Sequence, residues 1–310
     1  MKLGIIYAGQ GSQYVGMGRS LYDHNKECQE ILDQVQLDFD LKQLMFEGNE
    51  EQLSQTAYTQ PAMVAVATMV TRMLDVSGIR PDYVCGLSLG EYSALQASGV
   101  FEPVQAIELV RQRGLAMEEA AKGMECLMIA IIGLDRDLLE AACKEASSKG
   151  YVAIANYNCP GQLVIAGEKE AVEKAGELAL EKGARRAIPL KTSGPFHTAL
   201  LKKASERLHE VFQETTFQDM HVPVIFNSTG KELEPGVKIS EMLEKQVMSP
   251  VYFEDSIRYM IAQGVDTIIE VGPGKVLSGF VKKIDRSIAL YAIEDQESLE
   301  KVVQALGGQA

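Results

Sequence analysis

Gly86-Leu87-Ser88-Leu89-Gly90 places a serine between two glycines, directly after the apolar run Tyr83–Gly86 and before the helical pattern Leu89–Ala97. A tight strand-to-helix turn of this kind lifts a serine oxygen clear of a sheet. The glycines let neighbouring backbones pass closely, and the helix start aims free N–H groups at the same point, where they can hold an oxyanion. The chemistry this suits is nucleophilic acyl transfer. A second reading stands beside it: Ser88-Leu89-Gly90-Glu91 also fits the S-x-x-E capping box, in which the serine only closes a helix end and Glu91 caps or favours the helix dipole. A serine nucleophile needs an adjacent base. The chain has four histidines (His24, His197, His209 and His221), and the residues alone do not choose strongly among them, although His24, His209 and His221 lie in polar contexts that suit surface positions.

The elements that must position such a turn follow from hydrophobic periodicity. Leu3–Tyr7, Tyr83–Gly86, Val224–Asn227 and Thr267–Val271 read as short buried strands. Helical patterns cover 27–36, 59–77, 105–120 and 276–283, so strand–turn–helix units imply a mainly parallel sheet covered by helices. The middle of the chain differs. Strands at 124–134, 151–156, 163–166 and 184–190 and helices at 135–148 and 168–182 run in the order β-α-β-β-α-β, the ferredoxin-like arrangement, with a turn at Asn158-Cys159-Pro160-Gly161-Gln162. The expected organisation is therefore a discontinuous large unit, 1–123 and 193–310, with 124–192 inserted as a small unit. The acidic stretch 294–306 reads as an exposed final helix.

Two other glycine-rich segments fail as phosphate loops. Gly9-Gln10-Gly11-Ser12-Gln13 is followed by Tyr14 where a dinucleotide fingerprint needs Gly, and Gly272-Pro273-Gly274-Lys275 lacks both the first Gly and the final Ser or Thr. The first loop keeps a reading as a donor of backbone N–H groups at the sheet's carboxyl edge.

Composition bounds the rest. The 310 residues carry a net charge of −13, which argues against a nucleic-acid partner. No apolar run reaches membrane-spanning length, and the short stretch 3–8 is too brief for a signal peptide. Five scattered cysteines without CxxC spacing suit reduced thiols in the cytoplasm, not a disulfide frame or zinc site. No metal is expected.

The motifs together are specific. GLSLGEYSAL (86–95) resembles the active-site serine block of malonyl-CoA:acyl carrier protein transacylases, and the resemblance runs along the whole chain. AGQGSQYVGMG (8–18), RQRGLAMEEA (111–120), ANYNCPGQLVIAG (155–167), SGPFHTALL (193–201), QVMSPVYFEDSI (246–257) and EVGPGKVLSG (270–279) are similar to the family's other blocks, in the same order. The resemblance implies an α/β fold: a large α/β-hydrolase-like domain with a mainly parallel sheet and an inserted ferredoxin-like domain. It implies a malonyl group carried from malonyl-CoA through malonyl-Ser88 to the phosphopantetheine thiol of acyl carrier protein, without a bound cofactor, in fatty-acid synthesis.

Carried over residue by residue, the resemblance makes Ser88 the nucleophile and His197 its general base and acid. The main-chain carbonyl of Gln246 orients His197, and the N–H groups of Gln10 and Leu89 form the oxyanion hole. Arg113 pairs with the free malonyl carboxylate, which its planar fork suits; without the alignment Arg111 is equally eligible. Phe196 leaves little room for an α-methyl branch. Leu87 stands where many relatives carry His, at the pocket mouth, and Ala8 where many carry Pro. Asn156 and Asn158 are candidates to line the cleft, with a turn role open for Asn158. The chain is expected to act as a monomer. Its acidic carrier-protein partner requires a local basic patch, for which Arg185, Arg186, Lys191, Lys202, Lys203, Lys282 and Lys283 are candidates. Three rivals remain: a serine esterase or thioesterase, which needs an Asp or Glu behind the histidine; a catalytically dead binding subunit; and an acyltransferase serving polyketide synthesis.

Overall fold

The computed structural model describes residues 1–307; residues 308–310, the end of the expected large unit, lie outside the described residues. In chain order the elements are β1 Leu3–Tyr7, α1 Arg19–His24, α2 Lys26–Leu32, α3 Leu41–Glu47, α4 Glu50–Leu53, α5 Thr56–Val76, β2 Tyr83–Gly86, α6 Gly90–Ala97 and α7 Pro103–Ala121. Then come β3 Cys126–Ile132, α8 Arg136–Ala146, β4 Val152–Cys159, β5 Gln162–Glu168, α9 Lys169–Glu181 and β6 Arg186–Pro189. The chain closes with α10 Lys202–Gln213, β7 Val224–Ile225, α11 Ile239–Gln246, α12 Phe253–Ala262, β8 Thr267–Val271, α13 Val276–Ile284, β9 Ala289–Ile293 and α14 Gln296–Leu306.

Two sheets organise these elements. One is five-stranded in the order β7-β2-β1-β8-β9, parallel throughout. Its central strand is buried on both faces: Leu3, Ile5 and Tyr7 join the larger core, and Ile6 joins a second cluster with Cys85, Ile225 and Ile268. This is why β1 reads as an unbroken apolar run instead of an alternating one. The other sheet is four-stranded and antiparallel, β4-β5-β3-β6, with α8 and α9 over a separate core that includes Ile131, Leu139, Ile165 and Val172.

Several sequence expectations need correction. Asn158 is not in a turn: β4 runs on to Cys159, the reversal is at Pro160-Gly161, and Asn158 is buried with its Oδ1 unpartnered. The last helix is not simply exposed, because Leu299, Val302 and Val303 of α14 seal against the larger core. β9 escaped the sequence reading because only Ile293 of its five residues is buried, as suits an edge strand.

Helix α5 starts at Thr56, three residues before its sequence boundary. Pro61, inside its second turn, has no N–H to give to the carbonyl four residues earlier. That carbonyl, Ala57 O, instead accepts from Arg111 Nη1 at 2.9 Å. The same guanidinium forks onto Asp38 at 2.9 and 2.7 Å and lies over the rings of Phe39 and Tyr58. Arg111 is thereby a structural residue of the α5–α7 contact. Arg111→Ala should lower unfolding free energy by about 2 kcal/mol in urea titration, chiefly by stranding the buried Ala57 carbonyl; an unchanged midpoint would contradict this assignment.

Candidate active site

β2 ends at Gly86, and the chain turns at once into α6. Both glycines of the turn are required by contact. A Cβ on Gly86 would sit 1.9 Å from Gly90 C, and one on Gly90 would sit 2.2 Å from Tyr7 O. The turn is therefore pressed against the end of β1, where Leu87 N donates to Tyr7 O at 3.0 Å. At its apex Ser88 has φ 53°. The capping alternative fails: α6 has no side-chain cap. Glu91 does not cap either. Its carboxyl is fully buried and accepts from the backbone N–H of Asn227.

The Ser88 hydroxyl faces His197, with Oγ 2.6 Å from Nε2. On its other side His197 Nδ1 lies 3.0 Å from the backbone carbonyl of Gln246, the last residue of α11. A carbonyl can only accept, so Nδ1 carries the proton and Nε2 is left as an acceptor for the serine hydroxyl. His197 has φ 61°; among the described residues it and Ser88 are the only non-glycine positions with positive φ. Such conformations each cost about 1–3 kcal/mol and persist only where the surroundings over-determine them.

Arg113 enters from α7 and is almost fully buried. Gly114 allows this, because a Cβ there would meet Ala57 Cα of α5 at 2.6 Å. Arg113 Nη2 lies 3.3 Å from Ser88 Oγ and 3.0 Å from Gln246 Oε1, and the guanidinium sits over the Tyr92 ring. Gln246 Nε2 donates to Ser88 O at 2.8 Å, so that side chain ties the arginine to the elbow. Geometry separates the two arginines that sequence left equal: Arg111 is committed to Asp38, while Arg113 has no carboxylate within 4 Å among the described residues, and its buried Nε has no partner.

The electrostatics follow from burial. Desolvation, with the nearby Arg113 charge, pushes His197 down to about 4. Desolvation also pushes Glu91 up to about 8, opposed by the Asn227 N–H and by Arg113. Glu91 is thus largely neutral at pH 7, and the Arg113 guanidinium, whose own pKa burial lowers, stays without a full counter-charge.

The remaining predicted residues are distributed around this centre. Leu89, one position past Ser88, and Gln10, in the loop after β1, both present backbone N–H groups without a hydrogen-bond partner among the described residues. The Gln10 side chain donates to Thr56 Oγ1, which lies 3.0 Å from Ser193 Oγ, so the first loop is tied to the loop that carries His197. Phe196 is buried in the larger core, with its ring edge close to Gly194. Leu87 is half-buried against the core on the opposite face of the sheet and beside Gly9. Asn156 is buried at a bulge in β4, where Tyr157 N donates to Val251 O and Val251 N to Ala155 O, both at 2.8 Å. These bonds couple the antiparallel sheet to the segment that follows Gln246. Sequence reasoning missed Asn227, Tyr92 and the side chain of Gln246. Asn227 was readable as the polar end of a parallel strand, a place where α/β sites form.

A strained serine on a strand–helix elbow, a histidine poised to take its proton, free N–H groups and a buried cation define an acyl-transfer site. The comparisons agree. The acyl transferase domain model matches residues 5–303. Malonyl CoA-acyl carrier protein transacylase of Bacillus subtilis (strain 168) is 44% identical over 308 residues, covering 98% of this chain and 97% of that protein. The crystal structure of malonyl CoA-acyl carrier protein transacylase from Clostridium perfringens ATCC 13124 superposes with a TM-score of 0.95 at 41% identity, covering 99% of this chain and 98% of that one. A type II polyketide synthase acyl-carrier protein in complex with its malonyl-transacylase gives 0.94 at 37% identity, over 98% and 100%. The chain belongs to the acyl transferase family and, within it, to the malonyl-CoA:acyl carrier protein transacylases.

Because His197 must be neutral to accept the serine proton, reaction of Ser88 with a fluorophosphonate should hold its rate from neutral pH down to about pH 5 and halve near the depressed value of about 4. A rate halving at 6.5, the ordinary histidine value, would contradict the burial argument. The sign for stability is the same: the unfolded chain binds this proton more readily, so the group removes stability as pH falls from 6.5 towards 4.

Proposed function

We propose that the chain transfers the malonyl group of malonyl-CoA to the phosphopantetheine thiol of acyl carrier protein through an ester on Ser88. The observation that carries this reading is the buried guanidinium of Arg113, 3.3 Å from Ser88 Oγ and without a carboxylate partner among the described residues. A buried cation is costly unless an anion joins it. An acyl group ending in a free carboxylate supplies that anion at the distance where the other end meets the serine.

In the first half-reaction His197 Nε2 takes the Ser88 proton as Oγ attacks the thioester carbonyl. The Leu89 and Gln10 N–H groups receive the developing oxyanion. The tetrahedral intermediate collapses with loss of the coenzyme A thiolate, which takes the proton from His197. The second half runs in reverse: His197 deprotonates the pantetheine thiol, which attacks the malonyl ester and releases Ser88. The Gln246 carbonyl fixes the tautomer without a full negative charge, so imidazolium is held weakly and returns its proton readily. A hydrolase of this architecture places an Asp or Glu there, which is why the esterase reading loses. Phe196, Leu87 and Asn156 are proposed to line the acyl pocket.

The wider reading is a cytoplasmic monomer without a nucleic-acid or membrane partner, serving fatty-acid synthesis. No helix among the described residues is long and apolar enough to cross a membrane. The large unit is taken as 1–123 with 193–310, and 124–192 as the insertion, since the antiparallel sheet runs from Cys126 to Pro189. Carrier-protein docking is proposed at exposed basic residues, including Lys203 and Arg185; Lys202 is engaged with Glu206. The relative described with a polyketide acyl-carrier protein makes polyketide supply the second reading.

Mixing with malonyl-CoA should add one malonyl group to Ser88, visible by mass spectrometry and lost on adding holo acyl carrier protein. Hydrolysis without transfer would favour a thioesterase. Arg113→Ala should lower kcat/KM for malonyl-CoA about 10²-fold, the size of one lost charge-assisted contact, and shift preference toward acetyl-CoA. An unchanged malonyl-to-acetyl ratio would overturn the role of Arg113.

A further inference from the structure

We propose that Asn227 is a positioning residue for the reaction, its side-chain amide acting as an extra rung of the parallel sheet that holds Ser88 in its strained conformation. β7 pairs with β2 only at Val84↔Val224 and Cys85↔Ile225. Beyond that point β2 bends into the elbow and the backbone ladder stops. Asn227, two residues past the end of β7, takes over with its side chain. Its Nδ2 donates to Gly86 O at 2.6 Å, and its Oδ1 accepts from Ser88 N at 2.6 Å. In a parallel ladder one residue bonds to the carbonyl before and the N–H after its partner. The amide reproduces that pattern around Leu87, with the chain already leaving the sheet.

The residue that carries this amide is itself held by two backbone bonds. Asn227 is fully buried. Its N–H donates to the Glu91 carboxyl, in the first turn of the helix that the elbow begins. Its carbonyl accepts from Tyr252 N at 2.8 Å, at the start of α12. The elbow, β7 and α12 are thus joined through one residue. A serine at φ 53° needs such restraint, since nothing in its own backbone preference favours it. The same bond occupies the Ser88 N–H. That leaves Leu89 and Gln10, not Ser88, to supply the oxyanion donors.

The inference rests on the proposed malonyl transfer, and the test separates the two. Wild-type enzyme mixed with malonyl-CoA in the absence of carrier protein is expected to release one equivalent of coenzyme A in a burst. The rate of that burst reports chemistry at Ser88, and its amplitude counts competent molecules. Asn227→Ala should keep most of the amplitude and the KM for malonyl-CoA while slowing the burst about 10²-fold, the size expected for a reactive group misplaced by about 1 Å. Asn227→Asp matches the native shape, so it keeps the test decisive if the alanine variant does not fold. It places an oxygen against Gly86 O where a donor is needed, and should slow the burst in the same way. A burst of wild-type rate in the folded aspartate variant, or an amplitude loss at unchanged rate in both variants, would reduce Asn227 to a structural residue and overturn the proposal. Absence of any burst in the wild type would instead overturn the malonyl-transfer reading.

Discussion

The bond between Ser88 Oγ and His197 Nε2, at 2.6 Å, is the contact around which the molecule is organised. Neither residue reaches it from a relaxed backbone, for both lie at positive φ. Each is held there by packing. Gly86 and Gly90 let the elbow collapse onto β1, and the Gln246 carbonyl fixes the imidazole from the far side. The residues that define the pair come from four distant parts of the chain, so the site exists only when the parallel sheet is complete and α11 has docked.

A second constraint is charge. Arg113 is buried without a carboxylate partner among the described residues, in a protein that carries a net charge of −13. Glu91, the nearest candidate, is made largely neutral by its own burial. The arginine is instead steadied by neutral groups, the Tyr92 ring and the Gln246 amide, which orient it without satisfying its charge. The buried arginine and the serine–histidine pair therefore share one support, since Gln246 touches the arginine, the histidine and the elbow at once.

Much of the fold was legible because it is locally encoded. β1 is an unbroken apolar run, β8 carries Ile268, Ile269 and Val271 in a short buried stretch, and the glycines of the elbow mark a turn whatever surrounds it. Boundaries slipped where a tertiary contact intervened. The pattern at 59–77 missed the first turn of α5, where the Ala57 carbonyl left free by Pro61 is bonded by Arg111, 54 residues away. Asn158 resembled a turn residue because a strand that continues as far as Cys159 cannot be told from its composition. The site was legible through resemblance for Ser88, His197, Arg113 and Gln246. Asn227 was readable only as the polar end of a strand; its contact with Ser88 spans 139 residues and follows no local pattern. Glu91 was misread for the same reason: its spacing suits a cap, but its partner is Asn227, 136 residues away in the turn past β7.

The account requires His197 to be a neutral imidazole with its proton on Nδ1 and its lone pair on Nε2 facing the serine. Nitrogen-15 NMR of histidine-labelled protein reads this directly. At pH 7 the spectrum should show a His197 ring protonated at Nδ1 only, and it should remain so to below pH 5. An imidazolium at pH 7, or a ring protonated at Nε2 only, would contradict the account at its centre.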